Sequence, residues 1–180
     1  MPLSGGYIGR PDYLHQIGLT AAWLRALDSG LRDLALAWPG GSDWSPAARL
    51  RLIDRDVAEA AEAGIDTGLL RWIPEARFDW SGARALDMPY RLGVVYGLEE
   101  MTRGGEALRR RWGERLAPLG LHAFVVAGGG LRWRGLLQLL EQRLGSDRPS
   151  IEAAVQGAQD SLACMIELTR RSRQQLAVTV

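Results

Sequence analysis

Cysteine is nearly absent: Cys164 is the one thiol in 180 residues. A lone cysteine builds neither a disulfide framework nor a thiolate metal cluster. Lysine and asparagine are missing altogether, so the basic residues other than two histidines are all arginine, a pattern that reads as GC-rich coding bias and carries no chemistry. Charge of one sign is lacking too. The formal net charge is +1, which implies neither nucleic acid nor an anionic membrane surface as a partner. No run is long and apolar enough to span a bilayer. The first residues, Met1-Pro2-Leu3-Ser4-Gly5-Gly6, do not place a charged segment before an apolar one, as a signal peptide does. A cytoplasmic protein is the expectation.

What is present is ordinary globular material. Apolar residues make up 47% and charged residues 24%, enough for one domain over residues 1–180 with a sizeable core. The apolar spacing is helical throughout. Pro11 opens a helix carrying Tyr13, Ile17, Trp23, Leu24, Leu27, Leu31 and Leu34, which ends near Trp38-Pro39-Gly40-Gly41. Ser45-Pro46 is a serine cap followed by proline at the first helical position, and Leu50, Ile53, Val57 and Ala60 form the stripe that follows, up to Gly64. A long connection over residues 65–87 holds one short helix near Thr67–Trp72. Pro89 begins a helix that resumes its period after Gly105 with Leu108, Trp112 and Leu116, implying a kink at Gly104-Gly105. The run Leu121–Gly130 contains Val125-Val126, but an isolated strand would have nothing to pair with. Leu131–Leu144 is amphipathic through Trp133, Leu136, Leu137 and Leu140. The last helix runs from Ile151 to about Gln175, with Val155, Ala158, Leu162, Met165 and Ile166 expected inward. The fold class is an all-α bundle of six or seven helices.

The stretch from Arg91 to Gly105 contradicts ordinary helix preferences. Leu92, Val95, Tyr96 and Glu99 share one face, and Gly93, Gly97 and Gly104 another, with Glu100 at its edge. Each interior glycine costs about 1 kcal/mol relative to alanine, so close approach by a helix or a flat ligand is implied. Glu99 on the apolar face calls for an arginine partner from a facing helix. Met101 reads as core filler or a soft axial ligand. His15 is placed toward solvent, and His122 in a turn; no His/Asp/Glu group has metal spacing, and Asp54 and Asp56 face apart. Gly128-Gly129-Gly130 lacks the strand and lysine of a phosphate loop. Arg109-Arg110-Arg111 and Arg170-Arg171-Arg173 read as solvated faces.

Gly93-Val94-Val95-Tyr96-Gly97-Leu98-Glu99, followed by Thr102-Arg103-Gly104-Gly105, resembles the distal helix of bacterial heme oxygenases, particularly those linked to bacteriophytochromes. Leu119-Gly120-Leu121 with Phe124-Val125-Val126-Ala127-Gly128, then Trp133-Arg134 and the helix from Ile151, look similar to later segments of that family. Asp12-Tyr13 resembles the start of its second helix. The resemblance implies a heme oxygenase-like multi-helix bundle with a kinked, glycine-bearing central helix, in which a flat heme lies between that helix and a first helix supplying an axial histidine. It puts Gly104, Gly105, Glu100 and Met101 at the cofactor face, with Glu99 structural. The family's first helix and its histidine have no counterpart before Tyr13, and Glu100 and Met101 replace a glycine and a polar residue. The expectation is therefore a divergent protein without heme cleavage, binding a tetrapyrrole such as a bilin, or a protein partner. The alternative is a working heme oxygenase converting heme to biliverdin with a non-standard axial ligand, His15 being the candidate. A third reading is a plain interaction module or a thiaminase-like enzyme, which would need Cys164 as nucleophile. The flank left by the missing helix predicts that Leu3, Tyr7 and Ile8 fold back over it or that the chain forms a homodimer there.

Overall fold

Small residues, more than large ones, set how the two longest helices meet. The computed structural model describes residues 9–36, 45–82, 87–124 and 129–179. Five α-helices and two 3-10 turns account for the regular structure there, and no strand occurs among the described residues. They are α1 (Arg10–Leu36), α2 (Pro46–Glu62), a 3-10 turn (Gly68–Trp72), α3 (Met88–Leu116), a 3-10 turn (His122–Phe124), α4 (Gly129–Leu144) and α5 (Arg148–Thr179). The expected all-α class is what the chain adopts. None of these helices is long and apolar enough to cross a membrane.

Helix α1 is buried on more than one side because it touches α2, α3, α5 and the first 3-10 turn. Tyr13, Leu14, Ile17, Leu24 and Leu27 are wholly buried, and Trp23 nearly so. Each such side chain contributes about 1.5–3 kcal/mol when taken from water. The Trp23 indole N–H reaches the Ser161 carbonyl of α5 at 2.9 Å, so the ring packs without stranding its donor. The start of α1 is tied down by Asp12, which accepts the Gly9 N–H at 2.8 Å, and by Arg10, which donates to the Ala117 carbonyl just beyond α3.

Helix α2 begins as its sequence indicates. Ser45 Oγ accepts the Ala47 N–H at 3.2 Å, and Pro46 occupies the first turn. It ends at Gly64, whose φ of +70° is a conformation that favours glycine. Helix α3 runs without a break through Gly104-Gly105. Its first half, Tyr90 to Glu99, is buried apart from Arg91 and Tyr96, which are half-buried.

The most extensive contact in the molecule is between α3 and α5. Gly93 and Gly97 let α5 approach so closely that a Cβ at Gly93 would stand 1.8 Å from the Ala154 carbonyl oxygen, and one at Gly97 would stand 2.3 Å from Ser161 Oγ. The approach is reciprocal, since a Cβ at Gly157 would lie 2.1 Å from the Tyr90 carbonyl oxygen. Ala153, Ala154, Gly157, Ser161, Met165, Leu168 and Ser172 therefore form the inward stripe of α5. This corrects the expected stripe: Val155 is 49% and Ile166 70% exposed, with Ala158 and Leu162 half-buried. Large side chains are excluded from a helix contact that glycines have drawn close, so the small residues win that face. A similar displacement occurs on α4, where Leu136 and Leu139 are buried and Leu137 is exposed.

Leu3, Tyr7 and Ile8, the turn at Trp38–Gly41, and Val125–Gly128 lie outside the described residues.

Candidate functional site

A groove of about 650 Å³ opens along α5 where it faces α1 and α3. Its walls carry Met101 from α3, Gln16 from α1, and Leu162, Met165, Ile166 and Thr169 from α5. Arg170 and Arg173 stand on α5 at the same groove. Arg170 is held by Glu167 through two bonds of 2.7 Å. Arg173 makes no hydrogen bond or ion pair among the described residues. The groove thus combines thioether and aliphatic walls with a cationic border, and its volume is that of a small-molecule pocket.

Behind Met101, a cavity of about 40 Å³ separates α1, α2 and α3; Gln16, Thr20, Arg49, Thr102, Gly105 and Phe124 are among its lining residues. The Phe124 ring occupies the space in front of Gly105, 2.9 Å from where a Cβ would be. The flat body that approaches this glycine is an aromatic ring of the chain itself. A Cβ at Gly104 would meet nothing within 4 Å. Glu100 is partly exposed and pairs with Arg103 at 3.2 Å, whose guanidinium sits 4.5 Å over the Trp133 ring. Of the four residues expected at a cofactor face, Met101 lines the groove, Gly105 lines the cavity behind it, and Glu100 and Gly104 are not among the lining residues of either.

Glu99 is 3% exposed and is the hub of a buried ion pair, as its place on an apolar face suggested. Arg49 of α2 and Arg132 of α4 both donate to Glu99 Oε1, the latter at 2.9 Å. Arg49 also donates to Thr102 Oγ1 and to the Leu98 carbonyl. Burial lowers the Arg49 pKa to about 10, with Glu99 opposing that shift and Arg132 adding to it. It stays charged at neutral pH. One carboxylate therefore fastens three helices to one another, and its role is structural.

His15 does not face solvent. It is half-buried, and its Nε2 lies 2.7 Å from Ser172 Oγ on α5. Burial lowers its pKa, with Asp12 opposing and Arg173 adding to the shift. The turn of α1 that carries His15 lies against α5, which the helical wheel of α1 alone does not reveal.

One constellation is assembled only by the fold. Asp56 and Glu59 of α2 and His122 of the second 3-10 turn bring ligand atoms within 4.8 Å of one another. Asp56 is wholly buried, and its oxygens accept the Tyr13 hydroxyl at 2.5 Å and the His122 and Ala123 N–H groups at 2.8 and 2.7 Å. Glu59 accepts His122 Nε2 at 2.8 Å, the Gly120 N–H at 3.0 Å and Arg55 at 3.1 Å. All four carboxylate oxygens are engaged by donors of the chain. The group is a clasp that fixes the 120–124 turn to α2, and this turn seats Phe124 against Gly105 and edge-on to Tyr13 at 5.0 Å. Burial, then the Asp56 charge and hydrogen bond, push the Tyr13 phenol far above its ordinary pKa and keep it a donor. The available signal was the interval Ile53, Asp56, Ala60, which puts an acid inside the apolar stripe of α2.

Cys164 offers no activated nucleophile. Its thiol donates to the Arg77 carbonyl at 3.4 Å, and burial raises its pKa.

No family model, curated protein or solved structure matches the chain.

Proposed function

We propose that this chain is a heme oxygenase-like protein that has left heme cleavage and binds an iron-free tetrapyrrole of the bilin type. Its site is the groove between α1, α3 and α5. The observation that carries this reading is the pairing, in one groove of about 650 Å³, of apolar walls with Arg170 and Arg173. An extended apolar body with carboxylate arms suits that combination, because guanidinium groups bind carboxylates bidentately. The order of motifs, from the glycine-bearing helix to the Trp133-Arg134 segment and the last helix, is the supporting pattern.

The residues present do not fit the iron-ligated heme of that family. Neither histidine lines the groove, and His15 is engaged by Ser172. The face in front of Gly105 is filled by Phe124. A bilin needs neither an axial ligand nor a glycine face.

Absorption titrations of the protein with biliverdin and with heme test the proposal. A shifted, saturable biliverdin spectrum without turnover of heme is the expected outcome. A sharp Soret band followed by conversion of heme to biliverdin would reject it, as would the lack of spectral change with either compound.

A further inference from the structure

Gln16 is a buried polar side chain, 6% exposed, and its Oε1 accepts no hydrogen bond among the described residues. It stands between the groove and the small cavity behind it and lines both. Leaving such an acceptor unpaired is destabilising. Two hydroxyls that line the small cavity with it are committed elsewhere. The Thr20 hydroxyl donates to the Gln16 backbone carbonyl at 2.9 Å, and the Thr102 hydroxyl donates to the Leu98 carbonyl at 3.0 Å. Gln16 lines the groove, and an acceptor there that has no hydrogen-bond partner among the described residues calls for a donor from the ligand.

Resting on the function proposed above, we infer that Gln16 selects the ligand by accepting one of its pyrrolic N–H groups. An open-chain tetrapyrrole without a metal carries such donors toward its interior. In heme all four ring nitrogens are bound to iron and none has a hydrogen to give. Arg173, which has no ion pair among the described residues, takes a carboxylate of the same ligand. Only the Gln16 contact discriminates: the carboxylates are common to heme and bilin, and the N–H groups belong to the bilin alone. A binding site that hydrogen-bonds a donor disfavours the analogue lacking it, because its acceptor is then left buried and unpaired.

The test measures affinity of the full chain for biliverdin, biliverdin dimethyl ester and heme by fluorescence quenching, in the native protein and in Gln16→Leu and Arg173→Ala. Circular dichroism melting of each variant checks its fold. One hydrogen bond of this kind corresponds to about tenfold in affinity. Native protein is expected to bind biliverdin at least about tenfold more tightly than heme, and Gln16→Leu to erase that preference by weakening biliverdin alone. Arg173→Ala weakens biliverdin and heme together and leaves the dimethyl ester unchanged. Equal native affinity for heme and biliverdin overturns the selection and leaves the tetrapyrrole reading standing. Unchanged biliverdin affinity in Gln16→Leu also overturns it; a water in the 40 Å³ cavity, shared with the unpartnered Nε of Arg49, is then the partner of Gln16. Binding of none of the three compounds refutes the function itself. The comparison of heme with biliverdin in native protein needs no variant, so a misfolded Gln16→Leu does not shield the inference.

Discussion

Gly93→Ala is the sharpest perturbation available in this fold, because it opposes local preference to tertiary packing at one atom. In an isolated helix the change stabilises by about 1 kcal/mol. Here the new Cβ would stand 1.8 Å from the Ala154 carbonyl oxygen, 2.6 Å from its carbonyl carbon and 2.9 Å from its Cα. These are backbone atoms of α5, and no rotamer change relieves them. An ordinary carbon–oxygen contact is about 3.3 Å or longer, so the helices must part by roughly 1.5 Å at this crossing. The neighbouring contacts of Gly97 with Ser161 and of Gly157 with Tyr90 then loosen as well. Overpacking of this kind costs about 1–3 kcal/mol, and a backbone-on-backbone clash belongs at the upper end. After the gain in propensity, Gly93→Ala is expected to destabilise by about 2 kcal/mol and to lower the melting temperature by about 4–8 °C. Gly104→Ala is the internal control, since nothing lies within 4 Å of its Cβ position. It is expected to stabilise by about 0.5–1 kcal/mol. Urea unfolding followed by circular dichroism measures both. A Gly93→Ala variant as stable as native protein, or a shift of both variants in the same direction, would refute a backbone clash at this crossing.

Three further outcomes follow from the buried polar groups. Glu99→Ala strips the acceptor from Arg49 and Arg132 and should destabilise by about 3–5 kcal/mol in urea unfolding; a change under about 1 kcal/mol would show that the hub is not needed. Tyr13→Phe removes one charge-assisted bond to Asp56 while His122 and Ala123 still cap the carboxylate, so a loss of about 1.5–3 kcal/mol is expected, and a neutral result would place the worth of the clasp in its backbone donors. His15 has a folded-state pKa below its ordinary value of 6.5, chiefly through burial. The unfolded chain therefore takes up its proton first as pH falls, and stability present above pH 6.5 is lost below it. Melting temperatures compared at pH 7.5 and pH 5.5 should differ less in His15→Gln than in native protein, and an equal difference would remove His15 as the cause.

Periodicity together with proline, serine and glycine end signals located each described α-helix to within a few residues. Ser45-Pro46 and Gly64 marked the limits of α2 because capping and positive-φ geometry are local events. Glu99 could be assigned a facing arginine from its burial pattern, although not which one. The inward face of α5 departs from the face that hydrophobic size marks, for a physical reason. Hydrophobic size marks a buried face when helices pack at ordinary distance, and Val155 and Ile166 are the large residues of α5. Against Gly93 and Gly97 the distance is shorter, and Ala154, Gly157 and Ser161 are what fit.

The candidate site divides along the same line. A sequence read one helix at a time shows that Gly105 admits close approach, that Met101 stands near it, and that Gln16 and His15 lie on α1. Which body fills the space at Gly105, Phe124 of a turn 19 residues later, depends on the Asp56–Glu59–His122 clasp that joins two distant segments. Whether a polar side chain has a partner depends likewise on what crosses it: His15 finds Ser172, and Gln16 Oε1 finds no donor among the described residues. Composition, period and capping determined the helices of this protein, because those are set by neighbours in the chain. The groove, its arginine border and the unpaired Gln16 at its wall were decided by tertiary structure, because each requires side chains from α1, α3 and α5 to share one space.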